Sequence, residues 1–392
     1  MVRLRGSPRR LGGDMATRKT AAKTLRLRRL EIRDFKAIDH VALDFHPPEM
    51  RDDPDIYVMG SRNGVGKTSI LEACTILFFV LRRHADAPLI DPEAILNIPI
   101  DIAEKFVRSG ASMAFIYGEF VLGTKYIPFD SSLDRFGQLR ISVQHSEWLD
   151  TGIDVFSEDP SIGNKINRYF ELLYGRDADP FVMRPLLYFH SFRKVQEGSP
   201  ELGMMMKPDP MYGSRTQSGS GASTFVSTFK LQILRAMMGR ANLFEHLEDE
   251  DADETLSKLN GLIQRYAGGR IDKLRPSSNN TIEFRITPDG GGESFAFDGL
   301  SSGQKEIIST LFMIWYNTRN QPGIVLIDEP ELHLNAEWHR DFVQQVYAIA
   351  PRNQYIFATH SEDIFRSVDY ERRLFLGSGS GEQKIGTGSE NG

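Results

Sequence analysis

Four short stretches hold the residues best suited to chemistry, and they come in a fixed order: Ser61–Thr68, Leu300–Gln304, Ile324–Glu329 and Ala358–His360. The first reads Ser-Arg-Asn-Gly-Val-Gly-Lys-Thr, a glycine-rich turn between an apolar strand and a helix, whose backbone N–H groups can close around phosphate oxygens. In this reading Asn63, Gly64, Val65 and Gly66 form the cradle and Lys67 neutralises phosphate charge. Thr68 and Ser69 open the helix, with Thr68 a ligand of Mg2+. Ser61 stands where the eight-residue pattern has glycine, with Gly60 just before it.

Asp328 and Glu329 end a run of four apolar residues, which predicts two carboxylates at the carboxyl edge of a parallel sheet, where α/β proteins bind ligands. Asp328 is expected to hold Mg2+ through water and Glu329 to polarise an attacking water, because phosphoryl transfer depends on positioning and charge stabilisation. His360 closes the next strand and is expected to meet the γ-phosphate through one ring nitrogen. Leu300-Ser-Ser-Gly-Gln304 heads a helix. Ser301 or Ser302, with Gly303, Gln304 and the first free N–H groups, makes a second anion-binding end aimed across an interface. Together the stretches predict ATP and Mg2+ as cofactors and hydrolysis of ATP to ADP and phosphate.

Patterning supplies the elements around them. Strands are predicted over 25–33, 38–45, 56–59, 186–189, 281–287, 295–297, 324–327 and 355–358, and helices over 68–83, 302–318 and 336–349. Residues 113–148 alternate as an antiparallel layer, and 225–266 read as helix interrupted by the acidic run 248–254, a solvated face or linker. The Gly, Ser, Pro and Met-rich stretch 198–223 reads as a mobile loop, and 377–392 as a disordered tail. The domains expected are a basic flexible arm (1–24), a nucleotide-binding lobe with the phosphate loop (25–190), a helical insertion (191–290) and the part carrying the remaining motifs (291–376).

A single cysteine, Cys74, excludes an internal disulfide and fits a reducing compartment, so cytoplasm is expected. The longest apolar run, 74–81, is far short of the roughly 20 residues that span a bilayer, so no membrane partner is expected. Residues 1–36 hold twelve Lys or Arg against three acids, a local +9 that leaves −15 on the rest of a chain of net charge −6. A basic arm on an acidic body is either a solvated terminus or a contact for DNA phosphates. It also has the look of an organelle transit peptide, and Met15 is a second candidate start.

The combined motifs resemble the SMC, RecF and OLD-like branch of the ABC-type ATPases. Asp-Glu-Pro-Glu-Leu-His-Leu334 is similar to RecF-like and OLD-like proteins, including ATPase subunits of bacterial antiphage systems, and differs from the usual wording of transporter ATPases. The resemblance implies an α/β P-loop NTPase fold with an ABC-type head, a mixed central sheet, an antiparallel β layer and an inserted helical lobe. It also implies homodimers that sandwich ATP head to tail, with Lys36 near the nucleotide, Gln196 near a Q-loop, and Asn335 at the D-loop position, where Asp or His is usual. Nothing after His360 resembles a Toprim nuclease, so a nuclease-like effector is expected as a separate partner. Two alternatives to an effector-gating switch are a RecF-type DNA clamp and, with less support, a transporter's nucleotide-binding subunit.

Overall fold

The computed structural model describes residues 24–50, 53–60, 66–86, 93–143, 181–183, 185–195, 197–200, 227–240, 252–276, 281–332 and 334–376. In chain order the N-terminal half runs β1 (Leu25–Phe35), β2 (Ile38–Asp44), β3 (Ile56–Gly60), α1 (Lys67–Asp86), β4 (Glu93–Asn97), α2 (Ile100–Phe106), β5 (Met113–Leu122), β6 (Lys125–Asp134), β7 (Gln138–Val143), β8 (Phe181–Met183) and β9 (Leu186–Phe189). There follow α3 (Thr228–Arg240), α4 (Ala252–Ala267), β10 (Gly269–Pro276), β11 (Ile282–Pro288), β12 (Phe295–Ala296), α5 (Ser302–Thr318), β13 (Ile324–Asp328), α6 (Ala336–Ile349), β14 (Gln354–Thr359), α7 (Glu362–Arg366) and β15 (Arg373–Phe375).

One sheet, in the order β2-β1-β5-β6-β7-β4, is antiparallel throughout. The other, β15-β3-β14-β13-β9-β8, is parallel except for its edge strand β8. This is the mixed central sheet and antiparallel layer that the sequence predicts. Because side chains alternate across a strand, the parallel strands feed two cores. Tyr57, Met59, Tyr188, Leu326, Ile356 and Ala358 join the core shared with α1 and the antiparallel sheet. Val58, Phe189, Val325, Ile327, Tyr355 and Phe357 join the core shared with α3 to α7.

Helix α1 lies between the two sheets, touching β1, β5 and β6 on one side and β9, β13 and β14 on the other. That position explains its composition: from Ile70 to Phe79 every residue is buried, as expected of a helix covered all round. Each large apolar side chain so buried contributes about 1.5–3 kcal/mol. The approach to β5 is close enough that a Cβ on Gly118 would overlap the Leu77 side chain. Gln354 fastens the sheets together, its side-chain amide donating to the Leu27 carbonyl and its oxygen accepting from the Leu27 amide, both at 2.8 Å.

Two expectations change, and a third is narrowed. The region read as a helical insertion also contains a hairpin: β10 and β11 pair antiparallel, and β12 adds a third strand. Strand β12 stops at Ala296, where Phe297–Gly299 turns into a short 3-10 helix whose Asp298 takes bonds from the Gly198 amide and Lys230. The end of the acidic run, read as a solvated face or linker, is an exposed face of a helix. Asp253 and Glu254 occupy the first turn of α4, where carboxylates oppose the positive end of the helix dipole. The arm before residue 24 and the tail 377–392 lie outside the described residues. So does the stretch 201–223 of the expected loop, whereas Gly198 and Pro200 are bonded to Asp298 and Ile282. No helix among the described residues is long and apolar enough to cross a membrane.

Candidate nucleotide-hydrolysis site

The parallel strands end together at one edge, and α1 begins there. Gly66 precedes it with φ +94°, and a Cβ at that position would stand 2.8 Å from Ile38 Cγ1. Only glycine meets both conditions without strain. Asn63, Gly64 and Val65, along with Ser61 and Gln196, lie outside the described residues.

The structure brings together five of the predicted residues. Thr68 donates its hydroxyl to Asp328 Oδ2 at 2.9 Å. Lys67 Nζ lies 3.3 Å from His360 Nδ1, and His360 Nε2 lies 3.6 Å from Glu329 Oε1. With the ammonium donating, Nδ1 accepts and Nε2 carries the hydrogen that faces Glu329. Burial lowers the Lys67 pKa, against the pull of Asp328, Glu329 and Glu331. Ser69 is buried one residue after Thr68.

Asp328 is 1% exposed. Burial pushes its pKa up to about 7, the Thr68 hydroxyl draws it down, and the Glu329 carboxylate raises it further. Its Oδ1 is buried without a hydrogen-bond partner. An orphaned carboxylate oxygen beside a hydroxyl suits Mg2+, which takes one or two protein oxygens and completes its shell with phosphates and water. Among the described residues no group of three or more His, Cys, Asp or Glu could hold a metal ion.

Glu329 has φ 46°, a left-handed conformation unusual for a non-glycine residue. Its amide donates to the Ala358 carbonyl at 2.7 Å, so the turn after β13 is pinned to β14. Two residues at this edge make contacts that the sequence reading missed. Glu331 accepts from the Thr359 hydroxyl at 2.7 Å and the His360 amide at 2.6 Å, fixing the backbone that carries the histidine. Buried Arg193 donates to the carbonyls of Asp328 (2.6 Å) and Glu329 (3.2 Å). The second Glu of Asp-Glu-Pro-Glu was available as a signal for Glu331; nothing local marks Arg193.

The other predicted residues lie elsewhere. Ser301 caps α5 in a reciprocal capping box: its hydroxyl accepts from the Gln304 amide at 3.3 Å, and the Gln304 side chain accepts from the Ser301 amide at 3.0 Å. Gln304 also donates to the Tyr266 carbonyl at 2.9 Å, while Ser301 and Ser302 are exposed and Gly303 is buried. Lys36, at φ 52°, pairs with Glu72 of α1 at 2.6 Å, and Glu72 in turn raises the Asp328 pKa. Asn335 caps α6 by accepting from the Glu337 amide, a reason for asparagine at that position.

Part of this edge falls in a stretch similar to known proteins. Residues 214–365 match the family described as "AAA domain, putative AbiEii toxin, Type IV TA system", a span that includes α5, β13 and most of the site edge but not Lys67 or Thr68. This match and the similarities that follow support an SMC/RecF-like ABC-type ATPase head. The head is 29% identical over 148 residues to the Septu protein PtuA of Bacillus thuringiensis, covering 34% of this chain and 37% of that one. It is 30% identical over 153 residues to the Retron Vc95 probable ATPase of Vibrio cholerae serotype O1 biovar El Tor, covering 36% of this chain and 29% of that one. The head thus matches about a third of the length of these relatives. The SMC head domain from Thermotoga maritima aligns at 14% identity with a TM-score of 0.43, covering 89% of this chain and 93% of that chain.

Proposed function

We propose that the chain binds and hydrolyses ATP as a cytoplasmic switch in antiphage defence, its heads pairing head to tail around ATP and gating a separate, nuclease-like effector. The observation that carries this reading is the cluster of Lys67, Thr68, Asp328, Glu329 and His360 at one sheet edge, with a buried Asp328 oxygen left unpartnered. Similarity to the Septu protein PtuA and to a retron ATPase supports the defence setting.

In this mechanism Lys67 and the amides at the start of α1 bind the phosphates. Thr68 and Asp328 would hold Mg2+, which when bound neutralises charge on the transferring group. Glu329 orients the attacking water and takes its proton as the bond to the leaving ADP oxygen breaks. His360, held by Glu331 and Lys67, presents its ring to the γ-phosphate. Ser301 and Ser302, exposed at the positive end of α5, are the groups offered to the nucleotide of a second head.

A DNA clamp binds phosphates through cations, and among the described residues several cations of β1 are ion-paired. In β1 Arg26 pairs with Asp55, Arg28 with Glu119, and Arg29 and Arg33 with Glu31. The similarity to defence ATPases favours the effector-gating reading, and a DNA affinity that falls steeply with salt would reverse that preference. The direct test is size-exclusion chromatography of Glu329→Gln with ATP and Mg2+: a dimer that dissolves on nucleotide removal is expected, and a protein that stays monomeric at saturating ATP would sink the shared-site model.

A further inference from the structure

The segment that leaves β9 is bonded at one end to the hydrolytic edge and at the other to the helix headed by Ser301. Arg193 is 3% exposed, and its Nη1 donates to the carbonyls of His190 (2.8 Å) and Asp328 (2.6 Å) while Nη2 donates to that of Glu329 (3.2 Å). On its other side Nε lies 2.5 Å from Oε1 of Glu306, a residue of α5 that is 5% exposed. Further along, Glu197 meets Lys305 at 3.3 Å, and the Gly198 amide donates to Asp298 at 3.1 Å. Lys230 joins the Gly198 carbonyl to the Asp298 carboxylate, and Lys305 donates to the Asp298 carbonyl.

A guanidinium presents its donors in a rigid plane, so one that spans two successive carbonyls fixes their relative orientation. Here those carbonyls belong to Asp328 and to Glu329, the residue held at φ 46°. The same guanidinium is a buried charge facing the Glu306 carboxylate. A shift of α5 must carry Arg193 with it or leave that charge uncompensated, which is strongly unfavourable. Movement of the helix cap is therefore transmitted to the backbone that aims the Glu329 carboxylate.

We propose that Arg193 is a positioning residue through which Glu306 and α5 set the Asp328–Glu329 turn of their own chain. What occupies Ser301 and Ser302 in one head then tunes hydrolysis at that head's own Lys67 site. The proposal rests on the ATPase reading above.

The deciding variant is Arg193→Met/Glu306→Met. Removing both buried charges together spares the fold far better than removing one. A purely structural role predicts normal turnover once the fold is kept. The positioning role predicts a melting temperature and fluorescent-ATP affinity near wild type, with kcat at a tenth or less and KM little changed. Arg193→Lys, a point charge unable to span both carbonyls, should fall between the two. Wild-type kcat in the folded double variant would overturn the proposal. A second readout does not require turnover: hydrogen exchange across 326–332 with ATP bound, before and after Ser301→Arg blocks the helix cap. The block should change exchange in the wild-type background and not in the double variant. Should the wild type bind ATP without hydrolysing it, the ATPase reading fails while this readout still judges the relay, and an equal response in both backgrounds would overturn it.

Discussion

The carboxyl edge of the parallel sheet and the cap of α5 are both anion sites by sequence, yet the fold treats them in opposite ways. At the edge, Lys67 and Thr68 of α1 meet His360 and Asp328 across more than 250 residues of sequence. At the cap, Ser301 and Gln304 satisfy each other within one turn, and the serines stay exposed. The first is preorganised by its own chain. The second is satisfied within its own turn and leaves Ser301 and Ser302 on the surface.

Breaking the edge should give the largest effects. Lys67→Ala should abolish ATP binding, read by fluorescence of a labelled nucleotide. Glu329→Gln should keep binding and lose about 10²–10⁴-fold in turnover, the usual worth of a positioned general base, in a phosphate-release assay. The cap should respond differently. Ser302→Arg is expected to leave nucleotide affinity of the monomer intact while removing the ATP-dependent dimer in size exclusion, and a variant that still dimerises would erase the distinction between the two regions. Acidity sharpens the comparison further. Because the Asp328 pKa is raised to about 7, the metal-free fold binds a proton there that the unfolded chain has shed above its ordinary value of 3.8. Its contribution to stability thus declines as pH rises from about 4 to about 7 and then levels. Mg2+ competes with that proton, so the melting-temperature gain on adding Mg2+ should grow over the same range in the wild type and vanish in Asp328→Asn. The smallest effect belongs to Ser301→Ala, about 1 kcal/mol from loss of an N-cap, measured by denaturant titration.

The edge was legible because unbroken apolar strands, the glycine turn and paired carboxylates are local signals. Helices 302–318 and 336–349 agree with the structure at both ends, each marked by a capping residue, Ser301 and Asn335. Strand β10 was missed because its alternation, Arg270-Ile-Asp-Lys-Leu-Arg275, is dominated by charge and buries few side chains. Arg193 was missed for a different reason. Its partners are backbone carbonyls 135 and 136 residues away and a carboxylate on another helix, and no spacing rule encodes such contacts.

The strand order has a consequence for how the chain comes into being. Strand β3, which leads into α1, has β14 and β15 as its neighbours, near the opposite end of the described chain. During synthesis Ile56, Val58 and the apolar flank of α1 must wait for some 300 residues of further translation before their partners emerge. Such non-local pairing is slow and leaves sticky intermediates. A nascent chain released before β14 therefore lacks the strand that joins β3 to β13, and the edge carrying Lys67, Asp328 and His360 assembles only after β14 has been made.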